Sequence, residues 1–282
     1  CALPINGERL RSNRGDEIGE LTRAFDTMAQ QVRAHSENLE RLVDERTREL
    51  ADAHRKVTDS IRYASLIQHA ILPDKALKAD LQGQYFVLWR PRDVVGGDFY
   101  LYRGATGQCL FGVVDCAGHG VPGACMTMIA HAALEVALGD TPWQDPAALL
   151  QRTDQVARGM LPGDDRSRQI ATSMDMGLCH VDLERRLVTF AGARLGLFWS
   201  DGDNCEEIPG HRRGVNDRRS GSYDNAQVPL AAGRTFYLVS DGLLDQAGGD
   251  QGYGFGARRL AAWIRAHAHL PLAEQKSALL EE

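Results

Sequence analysis

The sequence lacks any CxxC pair and any alternation of cysteine with histidine. Its six cysteines, Cys1, Cys109, Cys116, Cys125, Cys179 and Cys205, stand scattered along the chain. That pattern excludes the usual zinc-binding arrangements and a disulfide framework, and it reads as reduced, buried thiols of a cytosolic compartment. Positive charge is also in short supply. With 32 Lys and Arg against 38 Asp and Glu, the formal net charge is −6, so nothing pulls the chain as a whole toward nucleic acid and no such partner is expected. An uninterrupted apolar run of the ~18 residues needed to span a bilayer is missing too. The best candidate, residues 121–138, contains Pro122, His131 and Glu135. The chain by itself is therefore expected to be soluble. It begins at Cys1 rather than methionine and shows no signal-peptide pattern, so it reads as a piece of a longer protein.

What the chain does have is 43% hydrophobic residues over 282 positions, enough for one sizeable globular domain beside an accessory segment. The accessory segment comes first. Ile18, Leu21, Phe25, Met28 and Val32 follow alternating steps of three and four, the seam of a coiled coil. The seam runs on through Leu39 and Leu42, slips register near Val43, and resumes at Leu50, Ala53, Val57, Ile61 and Ala64. Such a helix has little to bury except a copy of itself, so a parallel homodimer is the expected state. Asp16-Glu17-Ile18-Gly19-Glu20-Leu21, followed by Ala24-Phe25-Asp26 and Met28, resembles the closing helix of a HAMP domain, the relay module that follows the last membrane span of bacterial receptors. The glycine after the DEI triplet sits where it costs helix stability. The alternative reading of this segment is a plain coiled-coil linker. Pro73 ends the long helix, because proline cannot continue one and biases its predecessor toward extended geometry.

Beyond Pro73 the pattern changes to short apolar runs separated by Gly and Asp, at residues 85–90, 94–101, 109–115, 174–182, 187–191, 195–200 and 235–240. Helical stretches at 122–138, 146–160 and 256–267 are interposed irregularly. Strands dominate without βαβ alternation, which predicts an α+β fold of antiparallel sheets covered by helices.

Three aspartates stand at the expected ends of apolar strands, each with glycine close by: Asp98 in Val94-Val95-Gly96-Gly97-Asp98-Phe99-Tyr100, Asp115 after Leu110-Phe111-Gly112-Val113-Val114, and Asp241 in Ser240-Asp241-Gly242. A strand delivers its last residue to the rim of a sheet, and the glycine lets backbone or ligand approach. Converging carboxylates repel unless a cation neutralises them, and all-oxygen ligation suits Mg²⁺ or Mn²⁺ rather than zinc. Taken singly, each motif reads equally as turn chemistry.

Their order and company form a resemblance. Val95-Gly96-Gly97-Asp98-Phe99-Tyr100, then Asp115-Cys116-Ala117-Gly118-His119-Gly120 leading through Val121-Pro122-Gly123-Ala124 into a helix, then Ser240-Asp241-Gly242 and Phe255-Gly256-Ala257-Arg258-Arg259-Leu260, resemble in sequence the motifs of the SpoIIE-like branch of the PPM metal-dependent serine/threonine phosphatases. The segment 64–73, with Ile67-Gln68 and Leu72-Pro73, resembles the regulatory helix ahead of such domains. The resemblance implies an α-β-β-α sandwich with two Mn²⁺ or Mg²⁺ ions. Asp115 would bridge them, the backbone carbonyl of Cys116 would ligate one, and Asp98 and Asp241 would complete much of the other's shell. His119 either donates a proton to the leaving oxygen or only shapes the turn. Asp175 fits an acidic position of the family, beside the metals or as ligand to a third ion, or it is a surface aspartate on an edge strand. Arg90 and Arg92 are candidates for contact with the substrate phosphate.

The resemblance divides the chain into the end of a HAMP domain at 1–34, a coiled coil with regulatory helix at 35–80, and the phosphatase domain at 81–282. It implies a phosphorylated STAS-type regulatory protein as substrate and, for the intact protein, a place on the cytoplasmic side of the bacterial inner membrane. Two departures stand out. Leu101 follows Tyr100 where relatives carry a further aspartate, and the family's final aspartate-bearing strand is absent from the sequence. The second departure leaves open a reading as a pseudo-phosphatase that binds its partner without turnover.

Overall fold

The computed structural model describes residues 15–161, 172–218, 221–248 and 253–281. By internal contacts the chain falls into two units, Cys1–Ser60 and Ile61–Glu282. Helix α1, Glu17–Ala70, is 54 residues long. Asp16 caps it, its carboxylate accepting from the Gly19 amide at 3.2 Å. Within the first unit the seam residues Ile18, Leu21, Phe25, Met28, Val32, Leu39, Leu42, Leu50 and Val57 are all exposed, a continuous apolar stripe. The described part of the HAMP-like segment lies in this helix, and its residues 1–14 lie outside the described residues.

The second unit is a sandwich. Its larger sheet runs β1 (Asp98–Ala105), β2 (Gln108–Cys116), β3 (Met174–Asp182), β4 (Leu187–Ala193) and β7 (Ala226–Pro229), in the order β1-β2-β3-β4-β7 and antiparallel throughout. The smaller runs β6 (Cys205–Ile208), β5 (Leu197–Ser200) and β8 (Thr235–Leu238), with β5 central. Alternation along β2 explains the layers. Leu110, Val114 and Cys116 face one way, into a core shared with α3 (Gly120–Asp140) and α4 (Pro146–Met160). Phe111 faces the other way, where Cys179, Val188, Phe190 and Leu197 join the two sheets. Phe198 and Tyr237 on the outer face of the smaller sheet pack with Leu260, Trp263 and Ile264 of α6 (Gly256–His267), beside α7 (Leu272–Glu281). Two short pieces complete the set, α5 (Asp241–Leu244) and the pair β9 (Ala247–Gly248) with β10 (Tyr253–Gly254). The layering is α-β-β-α, as the motifs implied.

Several local expectations are corrected. Residues 85–90 join no sheet, because their side chains are engaged instead: Phe86 packs on the α6 cluster and the Trp89 indole donates to the Asp98 carbonyl. β1 begins at Asp98 rather than at 94, so Asp98 opens its strand, Asp115 stands next to the end of β2, and Asp241 lies beyond β8, which ends at Leu238. Pro73 is followed by a further helix, α2 (Asp74–Leu81). Cys116 and Cys179 are buried as expected, whereas Cys125 is exposed on α3. By length and mean hydropathy alone α3 would also span a bilayer. Its Ala130, Ala133, Leu134 and Ala137 are spent in the core against the large sheet.

Candidate metal centre

The ladder of the large sheet sets Asp98 directly opposite Asp115, and Asp115 directly opposite Asp175. Residues paired this way share a face of the sheet, with Cβ atoms about 4.5–5.5 Å apart. Three carboxylates therefore form a row across β1, β2 and β3. Asp241 reaches the row from the smaller sheet, at the head of α5. Its backbone amide donates to Asp115 Oδ2 at 3.3 Å, and the neighbouring Ser240 hydroxyl donates to Asp98 Oδ2 at 2.6 Å. Among the described residues no three His, Cys, Asp or Glu side chains close around a single point; the aspartates are joined pairwise.

Like charges this close carry a penalty. Asp115 is pushed up to about 9, first by burial and then by the carboxylates of Asp98 and Asp241. A group that holds a proton so far above the carboxylate range, beside two more acids, sits where a cation would take the proton's place. The oxygen-only donors suit a hard divalent ion. On that ground the residues fit a Mn²⁺ or Mg²⁺ centre. Asp175, at the end of the row, is also raised by burial, with Arg194 opposing the shift.

The loop before Asp98 is pinned from three sides. Gln68 of α1 is 2% exposed. Its carboxamide accepts from Gly96 N at 3.1 Å and donates to Gly96 O at 2.7 Å. The buried Thr127 hydroxyl lies 3.2 Å from Gly96 O, 3.1 Å from Gly97 O and 3.1 Å from Gly123 O, its one proton serving one of them at a time. Gly97 has a further constraint, since a Cβ there would stand 2.4 Å from the Cys116 carbonyl oxygen. The bare α-carbon lets that carbonyl come up beside Asp98.

The family described as Stage II sporulation protein E (SpoIIE) matches residues 105–282. The SiaA PP2C domain of Pseudomonas aeruginosa shares 54% identity over 81% of this chain and 89% of that one, with a TM-score of 0.76.

The chain belongs to the SpoIIE family.

Its second unit is accordingly a PP2C-type serine/threonine phosphatase domain, a metal-dependent hydrolase. Two more distant structures share the fold. One is the PP2C phosphatase domain with a fragment of the regulatory domain of SpoIIE from Bacillus subtilis, at 14% identity over 66% of this chain and 54% of that one, with TM-score 0.53. The other, the RsbU and RsbW domains of a Mycobacterium tuberculosis protein, shows 17% identity over 68% and 51%, with TM-score 0.54. No curated protein matches the sequence. Asp98 lies upstream of the stretch the SpoIIE family matches and joins the site through the β1–β2 ladder.

The remaining candidates of this SpoIIE-family domain are placed less centrally. His119 is the N-cap residue of α3, well exposed, its Nδ1 paired with Asp93 Oδ2 at 2.9 Å. Arg90 and Arg92 are exposed on the rim of an open cavity of about 2870 Å³ that also takes in Asp98, Asp115 and Asp241. Neither has an ion-pair partner among the described residues. Gln68, Asp93, Thr127, Arg194 and Ser240 also border the site, and no residue pattern in the sequence marks them individually. Gln68 and Ser240 lie inside the segment 64–73 and the Ser240-Asp241-Gly242 motif, but the side-chain contacts that give them a part run across 28 and 142 residues of chain.

Proposed function

We propose that this chain removes phosphate from a phosphoserine or phosphothreonine of a small STAS-type regulatory protein. Asp98, Asp115, Asp241 and the Cys116 carbonyl would hold two ions, Mn²⁺ or Mg²⁺. The ions, when bound, supply a Lewis acid that activates water near neutral pH and offsets charge on the phosphoryl oxygens. The observation that carries this reading is the opposed pair Asp98 and Asp115 with the Asp241 amide closed onto it, where burial and then the neighbouring carboxylates disfavour the Asp115 charge.

The chain's own groups have separate tasks. Ser240 and the Asp241 amide orient the carboxylates of Asp98 and Asp115. Arg90 and Arg92, on the rim of the cavity, receive the substrate's phosphate oxygens. His119, its ring tied to Asp93, delivers a proton to the departing seryl or threonyl oxygen. The breadth of the cavity suits a phosphate carried on a protein surface better than an enclosed small metabolite.

Control enters through α1. Its last turns hold Gly96 through Gln68, two residues from Asp98, so a shift of this helix is transmitted to the Asp98 loop. We read residues 1–34 as the end of a HAMP domain and 35–80 as a signalling coiled coil that dimerises along the exposed seam. Both would belong to a protein anchored in the bacterial inner membrane, with its phosphatase domain on the cytoplasmic side. Hydrolysis of p-nitrophenyl phosphate tests the catalytic part. The expected result is turnover with Mn²⁺ that vanishes with chelator and in Asp115→Asn, and activity that survives either treatment would refute the reading.

A further inference from the structure

Asp175 differs from the other members of the carboxylate row in having a cation of its own. Among the described residues Asp98, Asp115 and Asp241 form no ion pair, whereas Asp175 Oδ1 lies 3.3 Å from Arg194 Nη1. The second arm of that guanidinium reaches Asp217 Oδ2 at 2.6 Å. Arg194 is therefore a fork between two carboxylates, one in the row and one outside it.

The backbone around the fork is held firmly in an unfavourable shape. Arg194 has φ +61°, a left-handed conformation that a residue with a Cβ adopts rarely. It is fixed there by its amide donating to His211 O at 2.7 Å, beside the bridge between Ala193 and His211. Space is reserved as well, since a Cβ on Gly214 would stand 2.9 Å from Asp175 Oδ1 and 3.4 Å from Arg194 Nη1. Asp217 is anchored in turn. Its carbonyl accepts from the Arg158 guanidinium of α4, which also bonds Asp154, 1% exposed. Strain maintained by this many independent contacts marks a position kept for its side chain.

We propose that Arg194 is a positioning residue for the metal centre, holding the Asp175 carboxylate on its guanidinium and so keeping it from joining Asp98, Asp115 and Asp241. The argument rests on the metal-centre reading of those three aspartates. Asp175 faces Asp115 directly across the ladder, and with its counter-cation removed it becomes an unpaired fourth carboxylate in the same row. Divalent affinity rises with the number of charged oxygen ligands. Arg194 thus sets the centre's affinity, and a metal held less tightly is one whose occupancy the protein's conformation can still govern.

The test is Mn²⁺ titration by calorimetry on the whole chain, with no activity readout required. Arg194→Gly is the informative variant, because glycine adopts φ +61° freely and the backbone is retained. It should bind Mn²⁺ about tenfold more tightly than wild type. Arg194→Gly combined with Asp175→Asn should return to the wild-type dissociation constant, and Arg194→Lys, which keeps the charge and loses the fork, should fall between. A wild-type dissociation constant in folded Arg194→Gly, or tightening that persists in the double variant, overturns the role of Arg194. Absence of Mn²⁺ binding in the wild-type chain overturns the metal centre itself, so the two failures are told apart.

Discussion

Replacing Gln68 by methionine isolates the contact through which α1 reaches the metal centre. Methionine preserves the volume at this buried position and removes the paired hydrogen bonds to Gly96. The Gly96 carbonyl keeps the Thr127 hydroxyl at 3.2 Å, but the buried Gly96 amide loses the side chain that accepts from it. An orphaned buried donor costs about 1–3 kcal/mol. For a domain of this size each kcal/mol lowers Tm by roughly 2–4 °C, so a fall of about 2–12 °C is expected by differential scanning fluorimetry in chelator. Because the freed loop carries Asp98, Mn²⁺ binding should weaken in parallel. Gln68→Ala adds a cavity to the same loss and should be worse than Gln68→Met on both counts. A methionine variant with wild-type Tm and wild-type Mn²⁺ affinity would refute the claim that Gln68 fixes the Asp98 loop.

Four other outcomes are expected. Asp115→Asn should cut Mn²⁺-dependent hydrolysis beyond the roughly 10–100-fold lost when a residue merely supporting a ligand is removed. In chelator the same change should flatten the pH dependence of stability. Asp115 is raised from 3.8 to about 9 in the folded chain, so its contribution is fully present below the unfolded value and is lost as pH rises toward 9; wild-type Tm in chelator should fall across that window and recover with Mn²⁺. Gly97→Ala places a carbon 2.4 Å from the Cys116 carbonyl oxygen, and overpacking of this kind costs about 1–3 kcal/mol, with weakened Mn²⁺ binding as the accompanying sign in titration. Phe25→Glu with Leu39→Glu charges the exposed seam of α1 and should convert a dimer to a monomer in light-scattering mass measurements; a dimer that persists would put the interface elsewhere.

Much of this candidate site was legible in the sequence because its aspartates lie in short local motifs. Gly97 beside Asp98 has a steric reason, with the Cys116 carbonyl pressed against the place where a side chain would be. The long helix was equally open, since a seam of three- and four-residue steps has few other uses. What stayed hidden depends on register and on side-chain reach. That Asp175 stands opposite Asp115 follows from the β2–β3 ladder, and no spacing along the chain announces it. Arg194 reads as an ordinary surface arginine until its backbone angle and its two carboxylate partners are known. The segment 85–90 misled because apolar, aromatic composition favours a strand wherever a ladder is available, and here Trp89 and Phe86 are held by their side chains instead.

The central claim is that Asp98, Asp115 and Asp241 hold a pair of divalent ions. Anomalous scattering from crystals of the chain grown with Mn²⁺ tests it directly. Two peaks are predicted, both in contact with Asp115 and shared out among Asp98, Asp241 and the Cys116 carbonyl. A map in which Mn²⁺ leaves these three aspartates empty, or binds elsewhere on the domain, would contradict the account.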